Sequence, residues 1–307
     1  AASDVYKRQI QIAIRNIALP FTADVSEVIS EAKKRLRPLL RESDIESISI
    51  YKRSLDARKR ESIRYVYTAL AECRVKIDAQ KLKKLDCVEL CPSDITPEFG
   101  DEEMSARPVI IGFGPAGMFA ALTLAKAGLK PLVLERGGDV DSRTKSVYTF
   151  WNERKLDTES NVQFGEGGAG TFSDGKLTTG IKDPRCREVF IQFAKFGAPE
   201  EILYSATPHI GTDRLKTVVK NLREEVIRLG GEVKFNTKLT DLIIANGALQ
   251  GISYTDETSS YDIETDAVIL AIGHSSRDTF EMLYNKNFEI TQKPFSVGTC
   301  LLYTSPS

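Results

Sequence analysis

Apolar residues recur along this chain in two periods, and the switches between them mark out its elements. Ile10, Ile12 and Ile14 alternate with polar neighbours, as in a strand with one buried face. Val25, Val28, Ile29, Ala32 and Leu36 recur at helical spacing, and Asp24 or Ser26 can cap that helix. Ile45, Ile48 and Ile50 predict a second strand and residues 54–60 a charged hairpin loop. A longer strand over 62–71 places Ile63, Tyr65 and Tyr67 on one face, and a short basic helix follows at 79–85. The order βαββα predicts a small α+β unit over residues 10–92. Prolines, acids and a glycine over 93–106 predict a linker.

The pattern changes at Val109, where a short apolar run reads as a strand buried on both faces. Gly112, Gly114 and Gly117 follow at G-x-G-x-x-G spacing, with Pro115 and Ala116 between them. The first glycine permits a tight turn, the second lets backbone amides approach a pyrophosphate, and the third lets helix pack on strand. A helix over 118–127 stops at Gly128, a second strand covers 131–134, and Glu135 ends it. There a carboxylate can accept hydrogen bonds from both hydroxyls of a ribose. Strand, glycine turn, helix, strand and acid together predict a dinucleotide site. An acid at this place argues against a 2′-phosphate, which leaves NAD or the adenosine half of FAD.

Asp141 can cap a helix through Trp151, with Arg143 in its first turn. Arg143 reads either as a fork of donors for the pyrophosphate or as a surface arginine. A second glycine cluster then runs through Phe164, Gly165, Gly167, Gly168, Ala169, Gly170, Thr171, Ser173, Asp174, Gly175 and Lys176. Gly170 to Lys176 has P-loop spacing, but Leu177 replaces the hydroxyl that would hold magnesium and no strand precedes it. The loop fits close backbone approach to a flat or phosphorylated ligand instead. Further on, helices are expected over 182–196 and from Thr212 or Asp213 to Leu229, with 208–211 as a turn. Strands are expected over 233–235, 239–244 and 249–254, with Asn246-Gly247 as a hairpin turn. A buried strand over 266–273 brings Ala271 and Gly273 to its end. His274 follows at the end facing a ligand crevice, so it is a candidate proton donor or flavin partner, and His209 is a weaker one. A Ser-His-Asp hydrolase from Ser275 or Ser276, His274 and Asp278 is not supported, because no nucleophile elbow surrounds them.

Composition adds limits. The chain has 307 residues, a length suited to two domains, and a net charge of −1 that draws it to neither nucleic acid nor membrane. Its five cysteines form no C-x-x-C pair and it has two histidines, so zinc is not expected and a reducing cytoplasm fits. Basic clusters at Arg58, Lys59 and Arg60 and at Lys81, Lys83 and Lys84 could face RNA. Nearby acids and the lack of a stacking aromatic motif favour a solvated surface. Residues 1–9 and 299–307 continue no neighbouring pattern and resemble translated adapter sequence, so a fragment lacking a C-terminal part is expected.

The motifs from Gly112 to Gly117, from Glu135 to Gly137, from Asn161 to Lys176, from Pro208 to Asp213 and from Ala271 to Asp278 resemble a known family. It is that of the uncharacterised bacterial FAD-dependent dehydrogenases, which are NAD(P)/FAD-dependent oxidoreductases. The likeness covers most of 107–298. It implies an FAD-binding Rossmann-like domain with glutathione-reductase-like topology and a β-meander. A substrate-side segment would be inserted at about 140–207. The preceding α+β unit resembles half or more of a ferredoxin-like fold. The implied cofactor is FAD, with NAD(P)H as candidate electron donor, and Arg136 joins Glu135 and the glycine loops among the cofactor contacts. The expected activity is hydride or electron transfer through flavin. The other readings are an FAD-dependent RNA-modifying enzyme and a flavin module without turnover. Neither substrate nor oligomeric state is legible.

Overall fold

The computed structural model describes residues 10–59, 61–90, 100, 102–173, 175–181 and 183–294. Both expected foreign ends, most of the expected linker, Arg60 and Asp174 lie outside the described residues.

The N-terminal unit runs β1 (Ile10–Pro20), α1 (Val25–Leu36), β2 (Ile45–Asp56), β3 (Arg64–Cys73), α2 (Ala79–Lys84) and β4 (Cys87–Leu90). Its sheet is antiparallel in the order β2-β3-β1-β4. Asp24 starts α1 as one half of a capping box, with Glu27 bonding back to the Asp24 amide. Val28, Ala32 and Leu36 then pack on Ile12, Ile14, Ala69 and Ala71. The sequence reading lacked β4. Four residues are too few to set a period, and Val88 between buried Cys87 and the strand end is 39% exposed. Strand β2 also runs through Asp56, into the expected hairpin loop, where Asp56 pairs with Arg58 and Arg64.

The second unit comprises β5 (Val109–Ile111), α3 (Pro115–Lys126), β6 (Leu132–Leu134), α4 (Val140–Glu153), α5 (Arg185–Lys195), α6 (Thr212–Arg228), β7 (Glu232–Lys234), β8 (Lys238–Ala245), β9 (Ala248–Thr255), β10 (Ser260–Glu264), β11 (Val268–Leu270) and α7 (Arg277–Asn285). A parallel sheet has the order β11-β5-β6-β7, and β8, β9 and β10 form a separate antiparallel meander. Ile110 and Val133 face α3 and α6, packing with Met118, Val218 and Leu222. Val109, Ile111, Leu132 and Leu134 face the meander and α7, with Leu242, Ile252 and Leu283. Burial on both faces is why these strands lack polar alternation.

Several local expectations are corrected. Asp139, not Asp141, caps α4, accepting from the amides of Asp141 and Ser142. Helix α6 has Gly211 at its cap, without a side-chain bond from Thr212 or Asp213. Helix α5 begins at Arg185, behind Pro184. Residues 208–210 form no turn. They run antiparallel to 175–177, with Lys176 opposite His209. Strand β10 was not expected, since its side chains are mostly exposed. Strand β11 is an edge, and its Ile269 and Leu270 are each 38% exposed rather than buried.

Leu222 is fully buried between α6 and α3, whereas Ile227 on the same helix is 49% exposed. Leu222→Ala is expected to lower unfolding stability by about 2–5 kcal/mol in urea denaturation. Ile227→Ala should change it by about 0.5 kcal/mol or less.

Candidate functional site

The turn after β5 is closed by contacts that exclude side chains. Gly112 has φ +96°, and a Cβ there would lie 2.5 Å from the Ala271 carbonyl oxygen. A Cβ on Gly117 would lie 1.9 Å from the Gly112 oxygen. Gly114 differs: it caps α3 without a side-chain bond, and its nearest obstacle is Gly168 Cα at 3.7 Å. With Pro115 at the first helical position, the N-terminus of α3 opens toward a cleft of about 540 Å³.

The carboxylate of Glu135, 4% exposed, joins three loops. Its Oε2 accepts from the Phe113 amide at 2.7 Å, and its Oε1 accepts from the amides of Gly137 and Gly165, each at 2.9 Å. The glycine-rich loop is thereby laid against the turns that follow β5 and β6. The Gly167 amide donates to the Phe113 carbonyl at 2.8 Å, and the Glu166 amide to Gly138 at 3.1 Å.

Arg143 lies beneath this loop, fully buried, and not in the cleft. Its guanidinium donates to the carbonyls of Asn161, Val162, Gly165 and Glu166, at 2.6 to 3.3 Å. The pyrophosphate reading and the surface reading of Arg143 are both corrected: its donors are spent on loop carbonyls. Burial pushes its pKa down to about 10, against the charges of Glu135 and Glu166, so it stays cationic at neutral pH.

The cleft lies at the carboxyl ends of β5, β6 and β11. Of the residues singled out in the sequence, Gly112, Gly114, Pro115, Ala116, Glu135, Arg136, Gly165, Gly168, Ala169, Ala271, Gly273 and His274 line it. Gly117, Gly167 and Thr171 pack behind it, Thr171 donating to the Glu166 carbonyl. Gly170 is exposed. Ser173, Gly175 and Lys176 leave the cleft and follow the chain into the pairing with 208–210. His209 lies opposite Lys176 in that pairing and not in the cleft.

Charged groups that the sequence reading did not connect meet at the cleft, which Arg136 and Lys238 line. Arg136 pairs with Glu159 at 2.7 Å and Asp278 at 2.9 Å, and Lys238 pairs with Asp278 at 2.6 Å. The Arg136 guanidinium also sits 4.3 Å from the centre of the Phe164 ring. Burial opposes the Arg136 charge, but its bonds to Asp278 and Glu159 outweigh this and raise its pKa. The Arg136 bond holds the Asp278 carboxyl well below the usual carboxylate range. Asp278 is therefore committed to cations, while His274 contacts Ser275 Oγ at 3.3 Å. Glu166 was also missed, although an acid between two glycines is a visible signal. Fully buried, it accepts from the Val140 amide and pairs with Arg223 at 3.0 Å, and its Oε1 has no partner.

The sequence profile of the pyridine nucleotide-disulphide oxidoreductase family matches residues 106–289. Residues 9–72 match a domain of unknown function. An uncharacterized protein of Clostridium beijerinckii is 47% identical over 94% of this chain and 53% of its own length. A digeranylgeranylglycerophospholipid reductase of Methanothrix thermoacetophila is 27% identical over 57% of this chain and 41% of its own. The chain thus spans about half the length of these relatives, or less. Among solved structures, the THI4 protein of Thermovibrio ammonificans is 15% identical over 60% of this chain and 64% of its own, with a TM-score of 0.39.

Burial raises the pKa of Glu166 from its ordinary 4.5, despite the Val140 amide and Arg223. Between the unfolded and folded values the native state keeps a proton that the unfolded chain has released. Stability therefore falls as pH rises through that window. Glu166→Gln is expected to remove this slope, as read from urea midpoints at pH 4 to 7.

Proposed function

Because the chain belongs to the pyridine nucleotide-disulphide oxidoreductase family, we propose that its cleft binds FAD and that it is a flavin-dependent oxidoreductase of the dehydrogenase type. The observation that carries this reading is the open N-terminus of α3. Gly114 leaves space where any side chain would intrude, while Gly112 and Gly117 hold the turn that presents the helix amides. A pyrophosphate fits such an end, since the amides lack intrahelical partners and the helix dipole favours negative charge.

The adenosine side falls to Glu135 and Arg136. A carboxylate has about four acceptor positions, and three of those on Glu135 are filled by backbone amides. It can therefore take one ribose hydroxyl rather than both. Gly165, Gly168 and Ala169 offer backbone for close approach on the flavin side, and Gly273, at φ +68° with open space around it, borders the same cleft. Bound flavin supplies hydride or electron transfer between a donor and an acceptor. NAD(P)H is our candidate donor. His274 is the titratable side chain best placed at the end of β11 to hand over a proton.

We read the N-terminal unit as ferredoxin-like, on its βαββαβ order and its interleaved sheet β2-β3-β1-β4. Among the described residues no helix is long and apolar enough to cross a membrane. The buried thiols of Cys73 and Cys87 suit a reducing compartment such as the cytoplasm.

The test is the visible absorption spectrum of the purified protein, followed by chromatography of any released cofactor. Flavin bands with FAD released support the reading. A colourless protein that FAD cannot reconstitute, here and in a full-length relative, sinks it. Gly114→Ala is expected to keep the wild-type fold by far-ultraviolet circular dichroism yet weaken FAD binding about tenfold or more. Gly117→Ala should lose the fold of the unit as well, because its Cβ would meet backbone at 1.9 Å.

A further inference from the structure

The N-terminal unit touches the second unit through an edge of its sheet. Strand β2 is an edge strand. Its Arg53 amide donates to the Tyr204 carbonyl at 2.6 Å, and the Ala206 amide donates to the Arg53 carbonyl at 2.9 Å. This makes a parallel bridge between Arg53 and Ser205. The Arg53 side chain closes the same contact. Its guanidinium lies 4.8 Å from the centre of the Tyr65 ring and 5.3 Å from that of Tyr204, and it pairs with Glu201. Cation, two ring faces and carboxylate make this a specific clamp rather than a loose surface contact. A second contact lies beside it, with Arg187 of α5 at 4.8 Å from the Tyr51 ring centre.

The clamp sits four residues from a pairing that anchors the outgoing arm of the glycine-rich loop. After Ser205 and Ala206 the chain runs straight into 208–210. There the Leu177 amide donates to the Pro208 carbonyl and the Ile210 amide to the Gly175 carbonyl, each at 3.0 Å. Thr212 Oγ1 donates to the Ser173 carbonyl at 2.9 Å. Gly175, Pro208 and Ile210 are buried and Leu177 packs against the core of the second unit, whereas Thr178, Thr179 and Gly180, which follow, are exposed. A pairing of only two backbone bonds that runs out into an exposed segment opens readily unless its partner strand is fixed.

We propose that Arg53 is a positioning residue, and that the N-terminal unit braces the 205–210 segment so that the 175–177 arm holds its place beside the cleft. The unit of unknown function is then part of the site's architecture. The consequence for bound flavin rests on the cofactor reading above; the brace itself does not.

Amide hydrogen exchange on the full chain tests it, with Arg53→Ala and Arg53→Lys. Exchange at Leu177 and Ile210 should be about tenfold faster in Arg53→Ala. The Ala69 and Ala71 amides, in the N-terminal core, should stay as in wild type. Arg53→Lys, which keeps the charge but not the planar stack, should fall between. Leu177 and Ile210 amides as protected as in wild type, with the Ala206 amide freed, would overturn the brace. If Arg53→Ala loses protection at Ala69 and Ala71, the same comparison in Tyr204→Leu decides. Visible circular dichroism of bound FAD supplies the second readout: a changed band at unchanged FAD stoichiometry supports the brace, and an unchanged band alongside faster exchange confines it to the arm. A wild-type chain that takes no FAD refutes the cofactor reading, while exchange still decides the brace.

Discussion

One buried carboxylate organises the second unit. Glu135 ends β6 and accepts amides from the turn after β5, from its own turn and from the glycine-rich loop. Each bond to a charged acceptor is worth about 1.5–3 kcal/mol, and each would leave a buried amide unpaired if lost. Arg143 works from the other side, taking the carbonyls of the same loop. The loop is held between an anion that collects N–H groups and a cation that collects C=O groups. A glycine-rich segment, with high entropy in the unfolded chain, acquires one shape this way.

That arrangement explains what was legible in the sequence and what was not. The strands of the parallel sheet and helices α1, α3 and α6 carry long apolar patterns, and their signal survives in the linear chain. Residues 112–117 were legible because backbone crowding excludes side chains at Gly112 and Gly117, so the spacing itself records the geometry. Arg143 was misplaced for a physical reason. A cation near a phosphate-binding turn has the same sequence appearance whether it faces the ligand or supports the wall behind it. Only the carbonyls it meets, 18 to 23 residues away, decide between them. Asp278 and Glu159 pair with Arg136, and Lys238 pairs with Asp278, from separate segments, so no local pattern announces them.

The long excursion between β6 and β7 has a similar lesson. A minimal crossover would be one helix; here α4, the glycine loop, α5 and α6 intervene. Much of that excursion is irregular backbone, and it is supported by charged groups placed underneath or beside it: Arg143 below the glycine loop, Glu166 with Arg223 behind it, Arg53 at its far end. Irregular segments cannot satisfy their own peptide groups, and buried side-chain charges do so in place of a ladder.

Glu135 has one more implication, for protein engineering. In dinucleotide sites the acid at the end of the second strand is the usual place to exchange one cofactor preference for another. Here the acid at that place is a structural joint for three loops, so replacing it with a neutral or basic residue would dismantle the wall of the cleft. A redesign of preference would have to begin at Arg136 and Lys238, which border the same cleft and whose carboxylate partners, Glu159 and Asp278, are each more than 40% exposed.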